Sequence, residues 1–177
     1  MGKVSPNKKK TPEIGINYPL RVIGCIIVLC LHLSIFWADS TVSPLLWTVL
    51  LVHCLLFPHI TYLLSSTSKH EENNVLLDSF FYATCCAIWG YNFFLIAVFV
   101  SCTNMTNFAA GGRTLFLKGL AVQVLGFFIG GLVFNFYYRP ELTLMASLII
   151  TVGLIVYTSN LGYLIFRINS KLRRNKG

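Results

Sequence analysis

Charge is what this chain has least of. Only 11% of its 177 residues are Asp, Glu, Lys or Arg, and the acidic ones number six. Globular domains carry about 25% charged and about 45–50% apolar residues. Too few polar side chains remain here to cover a water-facing surface, so a soluble domain is excluded. Disorder is excluded as well: disordered chains are rich in charge and poor in apolar residues, whereas this one is 55% hydrophobic with a mean hydropathy of +0.70. Catalytic constellations are also missing. No H-E-x-x-H occurs, no glycine-rich phosphate loop follows a strand, and no nucleophile stands beside a base. The length leaves no room for an appended soluble catalytic domain of roughly 100 residues or more. An enzyme is not expected.

The six cysteines, at 25, 30, 54, 85, 86 and 102, have no metal-knuckle spacing, and all lie in apolar stretches. They read as free thiols acting as small apolar residues, with no metal and no cofactor implied. The net charge is +8. In a soluble protein that surplus would point to nucleic acid. Here the basic residues sit at the chain ends and in short connections, so the expected partner is the lipid bilayer and not nucleic acid. The chain reads as an integral membrane protein.

A helix that crosses about 30 Å of hydrocarbon needs roughly 20 apolar residues. Six segments qualify: Leu20 to Ala38, Ser43 to Leu64, two that share Asn74 to Ala110, Arg113 to Tyr138, and Leu142 to Phe166. The shared stretch is too long for one span, and Gly90-Tyr91-Asn92 breaks it as a tight turn should. With six crossings and a cytoplasmic start, thirteen of the fourteen basic residues are cytoplasmic, Arg21 among them, and only Arg139 is outside. That is the asymmetry of the positive-inside rule. The expected fold is an all-α integral membrane protein, a six-transmembrane-helix bundle with both termini cytoplasmic. Residues 1–18 form a basic cytoplasmic segment, 19–167 the membrane domain and 168–177 a basic cytoplasmic tail. The first apolar run is longer than the about 7–15 residues of a signal-peptide core, and no cleavage site follows it, so it is expected to remain as an anchor.

Polar residues inside the spans are few. Asp78 is the only acidic residue expected there, with Asn74 four residues before it on the same face. About one turn in from the polar loop 65–73, it would either cap and dock its helix or take part in binding or signalling. His32 and His53 could pair across helices around haem or a metal, although hydrogen bonding to a neighbouring helix is the plainer expectation. His59 follows Pro58, which frees a backbone carbonyl, so a local hydrogen-bonding role is expected. Gly126, Gly130 and Gly131 form a small-residue face that lets another helix approach closely, either in the same chain or in a second copy. Asn104-Met-Thr106 matches a glycosylation sequon, but at membrane depth the match reads as accidental.

Several of these segments are familiar in combination. Phe57-Pro-His-Ile-Thr-Tyr-Leu-Leu64 resembles an aromatic-Pro-His helix end. Asn74-Val-Leu-Leu-Asp78 resembles an N-x-x-x-D helix start, Gly90-Tyr91-Asn92 a G-aromatic-Asn turn, and Asn107 to Phe116 an N-x-x-x-G-G-x-R-L-F segment. In this order they resemble the type-two membrane-associated sensor (MASE) domain found ahead of bacterial diguanylate cyclases and some adenylate cyclases, over about residues 18 to 168. Where that family usually has a Trp in its third helix, this chain has Cys85. The resemblance implies six helices, both ends cytoplasmic, a homodimer, and a location in the bacterial inner membrane. Asp78, Asn74, His59, Pro58, Asn107 and Arg113 become the candidate signalling or ligand residues. Relatives continue into a cyclase domain that these 177 residues do not contain, so the expectation is a sensor domain, truncated or free-standing. It would signal to a cytoplasmic output domain or partner of the nucleotide-cyclase type. A small transporter or channel, or a membrane-acting defence effector, is the alternative.

Overall fold

The structure is a computed structural model that describes residues 12–36, 44–139 and 141–174. Among these residues every regular element is an α helix. Helix α1 (Pro12–Phe36) opens with a proline, which the first turn tolerates because its N–H would be unpaired there anyway. It begins two turns before the expected span at Leu20, so Asn17 and Tyr18 are helical and face the bundle's partners.

The second expected span, Ser43 to Leu64, is not one rod. It is α2 (Pro44–Leu55) and α3 (Phe57–Leu64), bent by 42° at Leu56. Pro58 in the first turn of α3 supplies the cause. Proline has no N–H to give and its ring crowds the carbonyl four residues back.

Helix α4 (Ser68–Ile88) starts where a polar loop was expected. Thr67 caps it, its Oγ1 accepting from the backbone N–H of His70 at 3.3 Å. Asp78 therefore lies three turns into the helix. The expectation that it caps a first turn near the surface is corrected: a capped run of Lys, His, Glu and Asn is a polar helix, not a loop. The turn at Gly90-Tyr91-Asn92 stands as expected. Gly90 (φ 80°) and Tyr91 (φ 47°) take left-handed backbone, and Asn92 Oδ1 accepts from the N–H groups of Phe94 and Leu95 at 3.0 and 3.2 Å.

Helix α5 (Phe93–Phe134) is continuous except at Gly111 and Gly112. Gly112 (φ 62°, ψ −154°) occupies backbone that only glycine adopts without strain. The chain reverses there. Gln123 Nε2 donates to Thr103 Oγ1 at 2.5 Å, and a Cβ at Gly119 would fall on the Asn107 amide, so arms 93–110 and 113–134 lie side by side. Helix α4 packs against both arms and α6 (Leu144–Arg174) against α1.

The contacts sort the connections between two ends of the bundle. One end holds the start of α1, the α3–α4 link, the glycine turn and the later half of α6, as the Tyr18–His59 and Ser79–Asn107 hydrogen bonds and the Leu20–Leu161 cluster require. At the other end the Arg139 N–H donates to Gly90 O at 2.6 Å and Asn92 Nδ2 to Arg139 O at 2.9 Å. The Arg139 guanidinium lies 5.7 Å from the Phe36 ring centre.

A core of Cys25, Val28, Leu31, Cys85, Trp89, Phe99 and Ile150 fills the centre. The outward faces carry Val124, Phe128, Leu132, Leu148, Val152 and Ile155, all exposed. Such a belt is stable against hydrocarbon, where helices satisfy every backbone group internally. Asn17–Phe36, Phe93–Phe134 and Leu144–Leu161 are each long and apolar enough to cross a membrane, and α2–α3 make a fourth if the bent pair is one span.

Candidate functional site

Three charged side chains meet inside the bundle. Arg21 of α1 reaches across to α4, where its Nε donates to Asp78 Oδ2 at 2.6 Å and its Nη2 to Glu71 Oε1 at 3.0 Å. Its Nη1 donates to Thr61 Oγ1 of α3 at 3.4 Å. Arg21, Glu71 and Asp78 are 5, 2 and 9% exposed, which makes this an interior ion cluster rather than a surface bridge. The planar guanidinium carries several N–H donors in a fixed fork, and here the fork holds three helices at once. A lysine at position 21 could not do so.

The placement follows from helix periodicity. Glu71 and Asp78 are seven residues apart, hence on one stripe of α4, and that stripe faces α1. Two unpaired buried carboxylates would be costly, and so would a lone buried guanidinium. Each is tolerated because the other is there. The coverage is incomplete, because Glu71 Oε2, Asp78 Oδ1 and Asn17 Nδ2 are buried without a protein partner.

Asp78 and Asn17 border a cavity of about 20 Å³, lined also by Arg21, Ser79, Tyr82, Thr103, Thr106 and Tyr157. Beyond it a second polar layer links α4 to both arms of α5. Asn107 Nδ2 donates to Ser79 Oγ at 2.9 Å, and Gln123 meets Thr103 as described. Thr106 Oγ1 pairs with the Tyr157 hydroxyl of α6. Ser79, Asn107 and Gln123 are almost fully buried.

The residues expected from sequence fall into different places. Asp78 is in the cluster. Asn74 is not; its Nδ2 turns the other way and donates to Ser65 Oγ at 2.7 Å, securing the α3–α4 link. His59 joins α1, its Nδ1 lying 2.7 Å from the Tyr18 hydroxyl, so its hydrogen bond is between helices and not local. Pro58 is buried at the α2–α3 bend, and Asn107 belongs to the second layer. Arg113 is exposed at the tip of the α5 hairpin.

His32 and His53 do not come together. His32 Nδ1 is 2.9 Å from Val28 O, and its ring lies against Trp89, whereas His53 stacks on Phe81. Phe81 of α4 and Trp89, which caps that helix, are eight residues apart, about 12 Å along the axis. The glycine face is also occupied within the chain. A Cβ at Gly126 would come within 2.7 Å of Phe80 O, one at Gly130 within 2.7 Å of Ala87 Cβ, and Gly131 is covered by the Phe136 ring. As a surface for a second copy, this face is corrected.

Residues 17–101 match the family model of the MASE2 domain. The resemblance carried by the helix-end, helix-start and turn motifs is thus borne out over that stretch. A MASE2 domain is a membrane-associated sensory module, not a catalytic one. The MASE2 match runs from the second turn of α1 into the first arm of α5, so it contains Arg21, Glu71 and Asp78 together with Pro58, His59 and Asn74. Asn107, Arg113 and the glycine face lie beyond it. No curated protein matches the chain, and no solved structure does.

Arg21 and Glu71 are the site residues that sequence reasoning missed. Arg21 passed for a topology-setting charge at the membrane edge, and Glu71 for a loop residue. The available signal was scarcity. With six acidic residues in the chain, two spaced by seven and one arginine inside an apolar run leave few ways to neutralise each other.

Proposed function

We propose that this chain is the sensory membrane module of a signalling system. In this reading it crosses the bacterial inner membrane six times, keeps both ends in the cytoplasm, and acts on a cytoplasmic output domain or partner of the nucleotide-cyclase type. The observation that carries the proposal is the Arg21 fork. It ties α1 to α3 and α4 at the end of the bundle from which α6 leaves, and α6 packs along α1. A stimulus that changes the fork changes the seat of α6, which gives two packings for a ligand or the membrane to choose between. The reversal at Gly111-Gly112 and the single-sided gathering of basic residues support the even number of crossings. A homodimer belongs to this reading, formed through a surface other than the glycine face. The transporter alternative gains nothing from the site, since the space beside Asp78 is about 20 Å³, enough for one water and not for a path.

The test fuses a diguanylate cyclase domain after Arg174 and measures cyclic dinucleotide in membranes. Arg21→Lys, which keeps the charge but loses the fork, should shift output at equal membrane levels. Output identical to that of wild type, and to that of an unrelated six-helix anchor, would refute the proposal.

A further inference from the structure

The ion cluster does not balance. One guanidinium faces two carboxylates, leaving one negative charge over in the interior, and Asp78 Oδ1 has no protein partner although Asp78 is only 9% exposed. A buried charge is costly unless something neutralises it. The cavity that Asp78 borders holds about 20 Å³, somewhat more than the 10–15 Å³ that one water-sized particle needs.

Of the other walls, Asn17 offers an unpartnered Nδ2 donor, while three hydroxyls are placed to accept. Ser79 Oγ donates to Val75 O at 3.0 Å, Thr103 Oγ1 to Phe99 O at 2.7 Å and Thr106 Oγ1 to Cys102 O at 3.0 Å, so all three hydroxyl protons are committed to helix carbonyls. Each of these oxygens receives one further hydrogen bond, from Asn107, Gln123 and Tyr157 respectively. A hydroxyl oxygen has two lone pairs. One therefore remains on each. The Arg21 guanidinium, which also borders the space, is spent on Asp78, Glu71 and Thr61.

We propose that the space between Asp78, Ser79, Thr103, Thr106 and Tyr157 binds one small monovalent cation of about the size of sodium. The Asp78 carboxylate supplies the charge and the hydroxyl oxygens the neutral ligands. Hard cations take oxygen ligands of this kind. A divalent ion would overcompensate a single excess charge. Among the described residues no group of three or more His, Cys, Asp or Glu converges as a transition metal would need. A proton would neutralise the cluster without using the cavity or its ring of acceptor oxygens. This inference goes beyond the sensory reading and does not depend on it.

The experiment measures thermal unfolding of the purified full chain in neutral detergent at pH 8, with sodium chloride replacing choline chloride at constant ionic strength. Wild type should show a saturable rise in Tm with sodium. Asp78→Asn keeps an oxygen for the Arg21 Nε–H but loses the charge, and should lose the rise. Ser79→Ala and Tyr157→Phe guard against misfolding of that variant; each removes one neutral oxygen and should move the sodium midpoint up severalfold while leaving the saturated Tm shift in place. Equal response to sodium and choline overturns the proposal, as does an unchanged sodium response in Asp78→Asn. A Tm that follows pH but not sodium assigns the site to a proton, and a Tm that follows neither assigns it to water. Both outcomes overturn it too. None of these readouts involves a cyclase, so a failure here is distinct from a failure of the signalling proposal.

Discussion

Removing Arg21 and then removing what it holds should give opposite signs, and that is the sharpest test of the cluster. Arg21→Met fills the space with an apolar chain but strands Glu71 and Asp78, which are 2 and 9% exposed. Breaking a buried pair from one side costs about 3–5 kcal/mol, because the surviving partner is left charged and uncompensated. At about 1.4 kcal/mol per tenfold, the ratio of folded to unfolded chain should fall by about two to three and a half powers of ten. Asp78→Leu alone should cost less, since Glu71 still holds the guanidinium at 3.0 Å. The decisive variant is the triple, Arg21→Met with Glu71→Leu and Asp78→Leu. Well-packed apolar replacements of a buried ion cluster are often neutral or stabilising by about 1–4 kcal/mol, so the triple should recover most of what Arg21→Met lost. Unfolding of purified protein in rising SDS, followed by tryptophan fluorescence with Trp89 as the buried reporter, gives the three free energies. Costs that simply add within about 0.5 kcal/mol would mean that the three side chains do not act as one unit, and the reasoning would fail.

Two further outcomes concern the bundle. Gly130→Leu must push Ala87 Cβ and the Thr84 backbone aside, so it should reduce the amount of folded chain in the membrane; normal levels with selective loss of a crosslinked dimer would show that the face is intermolecular after all. Reporter fusions after Lys69 and after Lys171 should read cytoplasmic and fusions near Ser40 and Pro140 external. An external signal at Lys171 would contradict an even number of crossings.

What was legible in the sequence was governed by period and punctuation. The turn at Gly90-Tyr91-Asn92 showed itself because glycine and asparagine tolerate the backbone it needs, and the apolar segments followed from hydropathy alone. The start of α4 did not, because Ser68 to Asn73 has loop composition, and only the Thr67 cap with a stripe at positions 71, 75 and 78 marks it as helix. That one misreading hid Glu71. Arg21 was hidden by the opposite habit: a basic residue near a span edge is usually a cytoplasmic flank, and only the tertiary contact with α4 shows that its charge is spent inside. The use of Gly126 and Gly130 was undecidable from spacing, since a close-approach face looks the same whichever helix fills it.

The glycine turn has a consequence for where a signal can be delivered. Without Gly111 and Gly112, the 42 residues of α5 would be a rod about 63 Å long, twice the roughly 30 Å of hydrocarbon it has to fit. The reversal turns that rod into two arms of bilayer length, and in the proposed six-crossing reading it sets the compartment into which α6 emerges. On that reading, a chain that failed to turn there would send its last helix out on the opposite face of the membrane. In that reading the address of an output domain is written in two residues without side chains, at the same end of the bundle as the Arg21 cluster.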